Sequence, residues 1–211
     1  MLEKELQKYD IENQYQWVKK HNINLNPYHN TEHIERVTLF TIMGCEWYFD
    51  SIGKYGTEIA ATAALFHDFG HSGGELKDDS DNIKLAIDGL LKFNQETQKF
   101  NQSEIELITS IIDATRFPYL NHSDNLTLLQ NIVRDSDIIQ GLLHPDYFTK
   151  IVEPIAKEAG ILFNDFLKGQ EKFWDSLEFG TGWANKLFEE FNQTKKPLVI
   201  ETINQFLSEK I

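Results

Sequence analysis

Residues 57–71 read Thr-Glu-Ile-Ala-Ala-Thr-Ala-Ala-Leu-Phe-His-Asp-Phe-Gly-His. Ala60, Ala61, Ala63, Ala64, Leu65 and Phe66 leave no polar side on a helical wheel. A helix that is apolar all round has no face to offer to water and belongs at the centre of its domain. Thr57 is placed to cap this helix, which is expected to span 58–68. Gly70, Gly73 and Gly74 then break it, followed by a polar loop of Asp78, Asp79, Ser80 and Asp81. The most apolar helix of the chain therefore closes on a histidine and an acid, His67-Asp68.

Helical spacing continues on both sides of this stretch, and no segment alternates cleanly enough for a strand. Leu2, Leu6, Tyr9, Trp17 and Val18 mark a surface helix over residues 1–20. Pro27-Tyr28-His29-Asn30 reads as a turn, with Asn30 as N-cap of a helix from Thr31 to Trp47 carrying Ile34, Val37, Phe40, Thr41 and Cys45 on one side. Ile83, Ile87, Leu90 and Leu91 mark the next helix. Ser103-x-x-Glu106 reads as a capping box before Ile105, Ile108, Ile111 and Ile112. Residues 126–139 are again helical, with Leu129, Ile132, Val133 and Asp137 spaced along them. Pro145, Pro154 and Pro197 punctuate two or three further helices. There Phe166, Phe173, Trp174, Phe179 and Trp183 read as core rather than as a base-stacking box. No repeat, low-complexity tract or long linker divides the chain. The expected fold is all-α, a single compact helical bundle of about seven to ten helices.

Composition narrows the function. The chain has 211 residues and a formal net charge of −13, which suits one domain and disfavours nucleic acid polymers. A single cysteine, Cys45, excludes an intrachain disulfide framework and a thiolate zinc cluster. The longest largely apolar stretch, 59–66, is far below the ~20 residues that cross a bilayer. The start, MLEKELQKYD, has no apolar signal core, so a cytoplasmic location is expected. The sequons at Asn101, Asn121, Asn125 and Asn192 would then be silent. Phe179-Gly180-Thr181-Gly182 follows no strand and is no dinucleotide fingerprint.

Four of the seven histidines fall in two short stretches, Y-H-N-T-E-H (28–33) and H-D-F-G-H (67–71). A carboxylate at Asp68, after Ala-Ala-Leu-Phe, is costly to bury without a partner. No lysine or arginine lies between Lys54 and Lys77. The bland reading has Asp68 accepting backbone N–H groups at the turn of Gly70. The sharper one brings His33, His67, Asp68 and an acid of Arg134-Asp135-Ser136-Asp137-Ile138 together from facing helices. Asp137, four residues after Val133, leans to the apolar side. Asp135, next to Arg134, reads as solvated or ion-paired. Two imidazoles and two carboxylates suit Zn, Mn, Fe, Co or Ni, with Mg not distinguished from them. His21, His122 and His144 read as surface residues, His122 also as a candidate extra ligand.

Together, Y-H-N-T-E-H, H-D-F-G-H and R-D-S-D-I resemble the HD-domain metal-dependent phosphohydrolases. They are most similar to the cyclic-nucleotide phosphodiesterase branch, whose signature opens with Tyr-His-Asn and a second His three residues on. Ile112-Asp113-Ala114-Thr115 echoes a helix of that branch. The resemblance covers residues 27–140, with the helices of 145–211 completing a single domain over 1–211. It implies that His33, His67, Asp68 and Asp137 bind one divalent metal ion. It implies that Asp68 bridges to a second ion held mostly by water, which His71 supports, and that His29 is the general acid for the leaving oxygen. The expected activity is hydrolysis of a small phosphoester, a nucleotide or cyclic nucleotide among them, by a metal-activated water. Such cations would also offset the acidic balance of the chain.

Two features depart from that branch. Its catalytic domain is larger, and its purine-holding glutamine has no clear counterpart. Gln140, Gln170, Phe173 and Trp174 match by residue type alone. Tyr28, Arg116 and Gln140 are the candidate substrate contacts; Arg116 and Arg134 have forks that suit phosphate, with a plain surface ion pair as the bland reading for each. A di-iron oxygenase on the same scaffold, or a non-catalytic metal- or nucleotide-binding helical module, is the alternative. Oligomers are compatible with either.

Overall fold

The computed structural model describes residues 2–74, 79–119 and 125–208. Among them every regular element is a helix, in the order α1 (Leu2–Lys8), α2 (Glu12–His21), α3 (Thr31–Trp47), α4 (Phe49–Phe66), α5 (Asp79–Thr97), α6 (Gln102–Asp113), α7 (Leu128–Leu142), α8 (Glu153–Glu158), α9 (Phe163–Lys168), α10 (Gln170–Asp175), α11 (Gly182–Glu190) and α12 (Lys196–Ser208). None of these is long and apolar enough to cross a membrane.

The central helix sits where its composition demands. In α4, residues 59–66 are fully or almost fully buried, and α2, α3, α5, α6 and α7 pack around it. Its start is earlier than Thr57. The chain bends at Gly53, whose positive φ of 63° interrupts the helix, and the Thr57 hydroxyl donates to the Gly53 carbonyl from inside it. Asn30 caps α3 as expected, its Oδ1 accepting from the N–H groups of Glu32 and His33.

Several boundaries move for local reasons. The N-terminal helix is two helices, because Asp10 adopts a left-handed φ of 58° and ends the first. The polar stretch at 79–81 opens α5, where its acids face the positive end of the helix dipole; Asp78 lies outside the described residues. The capping box of α6 is Asn101 with Glu104, two residues before the expected pair. A second box, Thr127 with Gln130, opens α7. The C-terminal third has more and shorter helices than the two or three expected. Pro154 and Pro197 do not separate helices. Each follows a π-turn (Phe148–Val152 and Phe191–Lys195), a wide turn that relieves the clash of the proline ring with the preceding carbonyl.

Two apolar clusters form the interior. The first surrounds α4 and includes Ile132 and Val133. The second gathers Ile139, Leu142, Tyr147, Trp174, Trp183 and Phe191, so the aromatic run near the C-terminus is indeed core. Helix α7 contributes to both, and Asp137 lies on it between Val133 and Ile139.

The approach of α3 to α7 and α11 is close at one point. A side chain at Gly44 would meet Ile132 at 3.0 Å and Trp183 at 3.1 Å. Gly44→Val is therefore expected to destabilise the fold by about 1–3 kcal/mol through overpacking. Urea unfolding reads this; wild-type stability would show that the approach is not tight.

Candidate metal centre

Three helices converge on one point. His33 comes from the first turn of α3, His67 and Asp68 from the end of α4, and Asp137 from α7. His33 Nε2 lies 3.0 Å from Asp68 Oδ2, 3.2 Å from Asp137 Oδ1 and 3.3 Å from His67 Nε2. His67 Nε2 lies 3.2 Å from Asp68 Oδ2 and 3.7 Å from Asp137 Oδ1. Both imidazoles are buried, while the carboxylates keep 14% and 21% of their side-chain exposure. The bland reading of Asp68 does not hold. Its carboxylate faces these imidazoles, and the N–H of Gly70 is served by Asn22 Oδ1 at 3.1 Å.

The spacing fits a metal ion. With bonds of about 2.1 Å, neighbouring ligand atoms stand about 3.0 Å apart in an octahedron and about 3.4 Å in a tetrahedron. His33, His67 and Asp68 form a group whose ligand atoms all lie within 4.8 Å of one another and could hold an ion; Asp137 faces both imidazoles but falls outside that group. The tautomer of His67 is also suitable. Its Nδ1–H donates to the Ala64 carbonyl at 2.7 Å, which leaves Nε2 as the free lone pair. The donors are nitrogen and oxygen only. Cys45 is buried in the apolar core, where burial pushes its thiol up to about 12.

Electrostatics at this point call for positive charge. Burial opposes ionisation of Asp68, yet His67 and His29 hold its carboxyl well below the usual range. Asp137 is likewise lowered: burial opposes the charge, and hydrogen bonds from His33 and His67 overcome it. His67 is raised well above an ordinary histidine, because Asp68 and Asp137 outweigh its burial. Protons here occupy the role that a divalent ion can take, since ligand deprotonation accompanies metal binding.

Beside this group stands His29, positioned by a residue that no motif pointed to. Glu158 of α8 accepts the backbone N–H groups of Tyr28 and His29 on Oε1, at 2.7 and 3.0 Å, while its Oε2 faces His29 Nδ1 at 2.6 Å. Burial disfavours the imidazolium of His29, but Asp68, Glu158 and Asp137 raise its pKa. The His29 ring stacks on His71 with centroids 3.8 Å apart. His71 does not join the ligand group. Its Nδ1 accepts from the Gly73 N–H, and its Nε2 faces Asn82 at 3.1 Å and Asp79 at 4.0 Å. Burial lowers its pKa, partly offset by Asp68.

The other sequence candidates divide. Tyr28 packs against His29 and His33, and its hydroxyl accepts from Gln140 Nε2 at 3.0 Å. Gln140 touches His33 from behind, at Nδ1, 3.2 Å away. Arg116 pairs with Asp113 at 2.7 Å within its own turn, and no contact links it to the His33 group. Asp135 is buried instead of solvated. It accepts from Gly180 N–H and from the N–H and hydroxyl of Thr181, and burial raises its pKa to about 6. His144 is buried too, at 5% exposure. His122 lies outside the described residues. Glu158 and Asp135 carry no sequence signal, because each finds its partner across a large separation in the chain.

Comparison with protein-family models, curated proteins and solved structures finds no match to this chain. The metal centre yields its own prediction. The chain should take up a divalent ion, and Asp68→Ala or His67→Ala should lower that affinity at least 100-fold, with Arg116→Ala neutral. Calorimetric titration with Mn²⁺ and Zn²⁺ measures this; undiminished affinity in Asp68→Ala would place the ion elsewhere.

Proposed function

We propose that this chain is a metal-dependent phosphohydrolase of the HD type, acting on a small phosphoester such as a nucleotide or cyclic nucleotide. The observation that carries this reading is the pairing of two sites: the His33–His67–Asp68 group with Asp137, and an anchored imidazole, His29, beside it. A site that holds an ion for structure alone has no use for the second. The order of the motifs along the chain supports the same reading.

His33, His67, Asp68 and Asp137 would hold a divalent ion, which supplies Lewis acidity toward a phosphoryl oxygen and lowers the pKa of water. The remaining work falls to the chain. Glu158 fixes Nδ1 of His29 and leaves Nε2 to carry the proton for the leaving oxygen. Burial opposes the charge on that imidazole, and the carboxylates of Asp68, Glu158 and Asp137 raise its pKa. His71 stacks on one face of the ring and restrains its tilt. Tyr28 packs against both His29 and His33 and fixes their relative placement. A locally positive centre also admits a phosphate that the −13 chain would otherwise repel.

Turnover of bis(p-nitrophenyl) phosphate and of a nucleotide panel tests the proposal. His29→Ala should lower kcat by about 10²–10⁴-fold with metal content unchanged. Glu158→Gln should lower kcat less, without weakening the metal. Full turnover by metal-free protein, or no hydrolysis of any phosphoester by the metal-loaded chain, contradicts the reading.

A further inference from the structure

A cavity of about 300 Å³ opens on the Nδ1 edge of His33, the edge turned away from the carboxylates. Its walls include Arg36, Gln140, His144 and Lys150 but none of His29, His67, Asp68 or Asp137. It is thus distinct from the space in which His29 faces the metal centre. Its volume is at the small end for small-molecule sites, enough for a compact ligand and too little for a peptide.

The polar groups of this cavity are donors in excess. Arg36 is half-buried and has no carboxylate partner among the described residues. Its Nε donates to Gln140 Oε1 and its Nη2 to the Gln140 carbonyl, both at 3.2 Å. These contacts use two of the five N–H groups of a guanidinium. His144 is buried, and its Nδ1 accepts from the Asp146 N–H at 3.1 Å, so its proton sits on Nε2, which meets no acceptor among the described residues. Lys195 stands behind His144, donating to the carbonyls of Leu142 and His144. The nearest acid on the wall, Glu32, is at the exposed rim and already pairs with Lys150 at 2.9 Å. Two cationic side chains, Arg36 and Lys150, thus line one small cavity in a strongly acidic chain, with Lys195 behind its His144 wall.

We propose that this cavity is a second binding site, for a small molecule bearing a phosphate-like oxyanion held by Arg36 and His144. The oxyanion takes up the Arg36 N–H groups that Gln140 leaves unused, together with Nε2–H of His144. The site stands without the hydrolase reading.

Sulfate is the probe, since it offers tetrahedral oxygens without precipitating Mn²⁺. The full-length chain should bind sulfate, with affinity lowered at least tenfold in Arg36→Gln and in His144→Gln. Asp68→Asn, which removes the metal, should still bind it. Sulfate affinity that stays at the wild-type value in either cavity variant, or is lost in Asp68→Asn, overturns the proposal, as does the absence of sulfate binding by the wild type.

Discussion

Two carboxylates from different helices, Asp68 and Asp137, face the same two imidazoles in the protein interior. Taking such charge out of water costs several kcal/mol per ion unless it is answered on the spot. The answer here cannot come from lysine or arginine, because none of their side chains pairs with these acids among the described residues. It comes from the ring nitrogens of His33 and His67 that face these acids, or from a metal ion seated between them. The cap at Asn30 sets the first turn of α3, and the end of α4 turns His67 and Asp68 inward together. Helix α7 brings Asp137 across.

Because α7 contributes to both apolar clusters, the centre sits at their seam. That placement explains why a residue of α8, far from the histidine motifs, takes part in the site. Glu158 bridges from the second cluster to the turn at Tyr28-His29 and holds both backbone and ring. Asp135 does similar work two residues before Asp137, tying α7 to the cap of α11 through Thr181. The C-terminal helices therefore form one wall of the site.

Much of this was legible before any coordinates. The apolar run 59–66 identified the central helix, and Asn30 identified a helix start, because both signals are local. The meeting of His33, His67 and Asp68, with Asp137 facing both imidazoles, followed from asking which neighbours an acid at the end of that helix could have. What failed depended on distant partners or on fine backbone choices. Asp135 looks solvated beside Arg134 until Gly180 and Thr181 arrive from 45 and 46 residues away. His144 looks like a turn residue, yet the folded chain buries it, with Lys195 donating to its carbonyl. Neighbouring Asn101 and Ser103 both satisfy a capping pattern, and only the folded chain selects the first. Arg116 had the right chemistry for phosphate, and its own-turn partner Asp113 engages it.

The account depends on an ion being seated between these side chains, and an anomalous-scattering map from a crystal of the chain grown with Mn²⁺ tests this directly. One strong peak should lie about 2.0–2.3 Å from His33 Nε2, His67 Nε2 and the carboxylate oxygens of Asp68 and Asp137. A well-ordered crystal with no peak there, or with the ion bound at other residues, would contradict it.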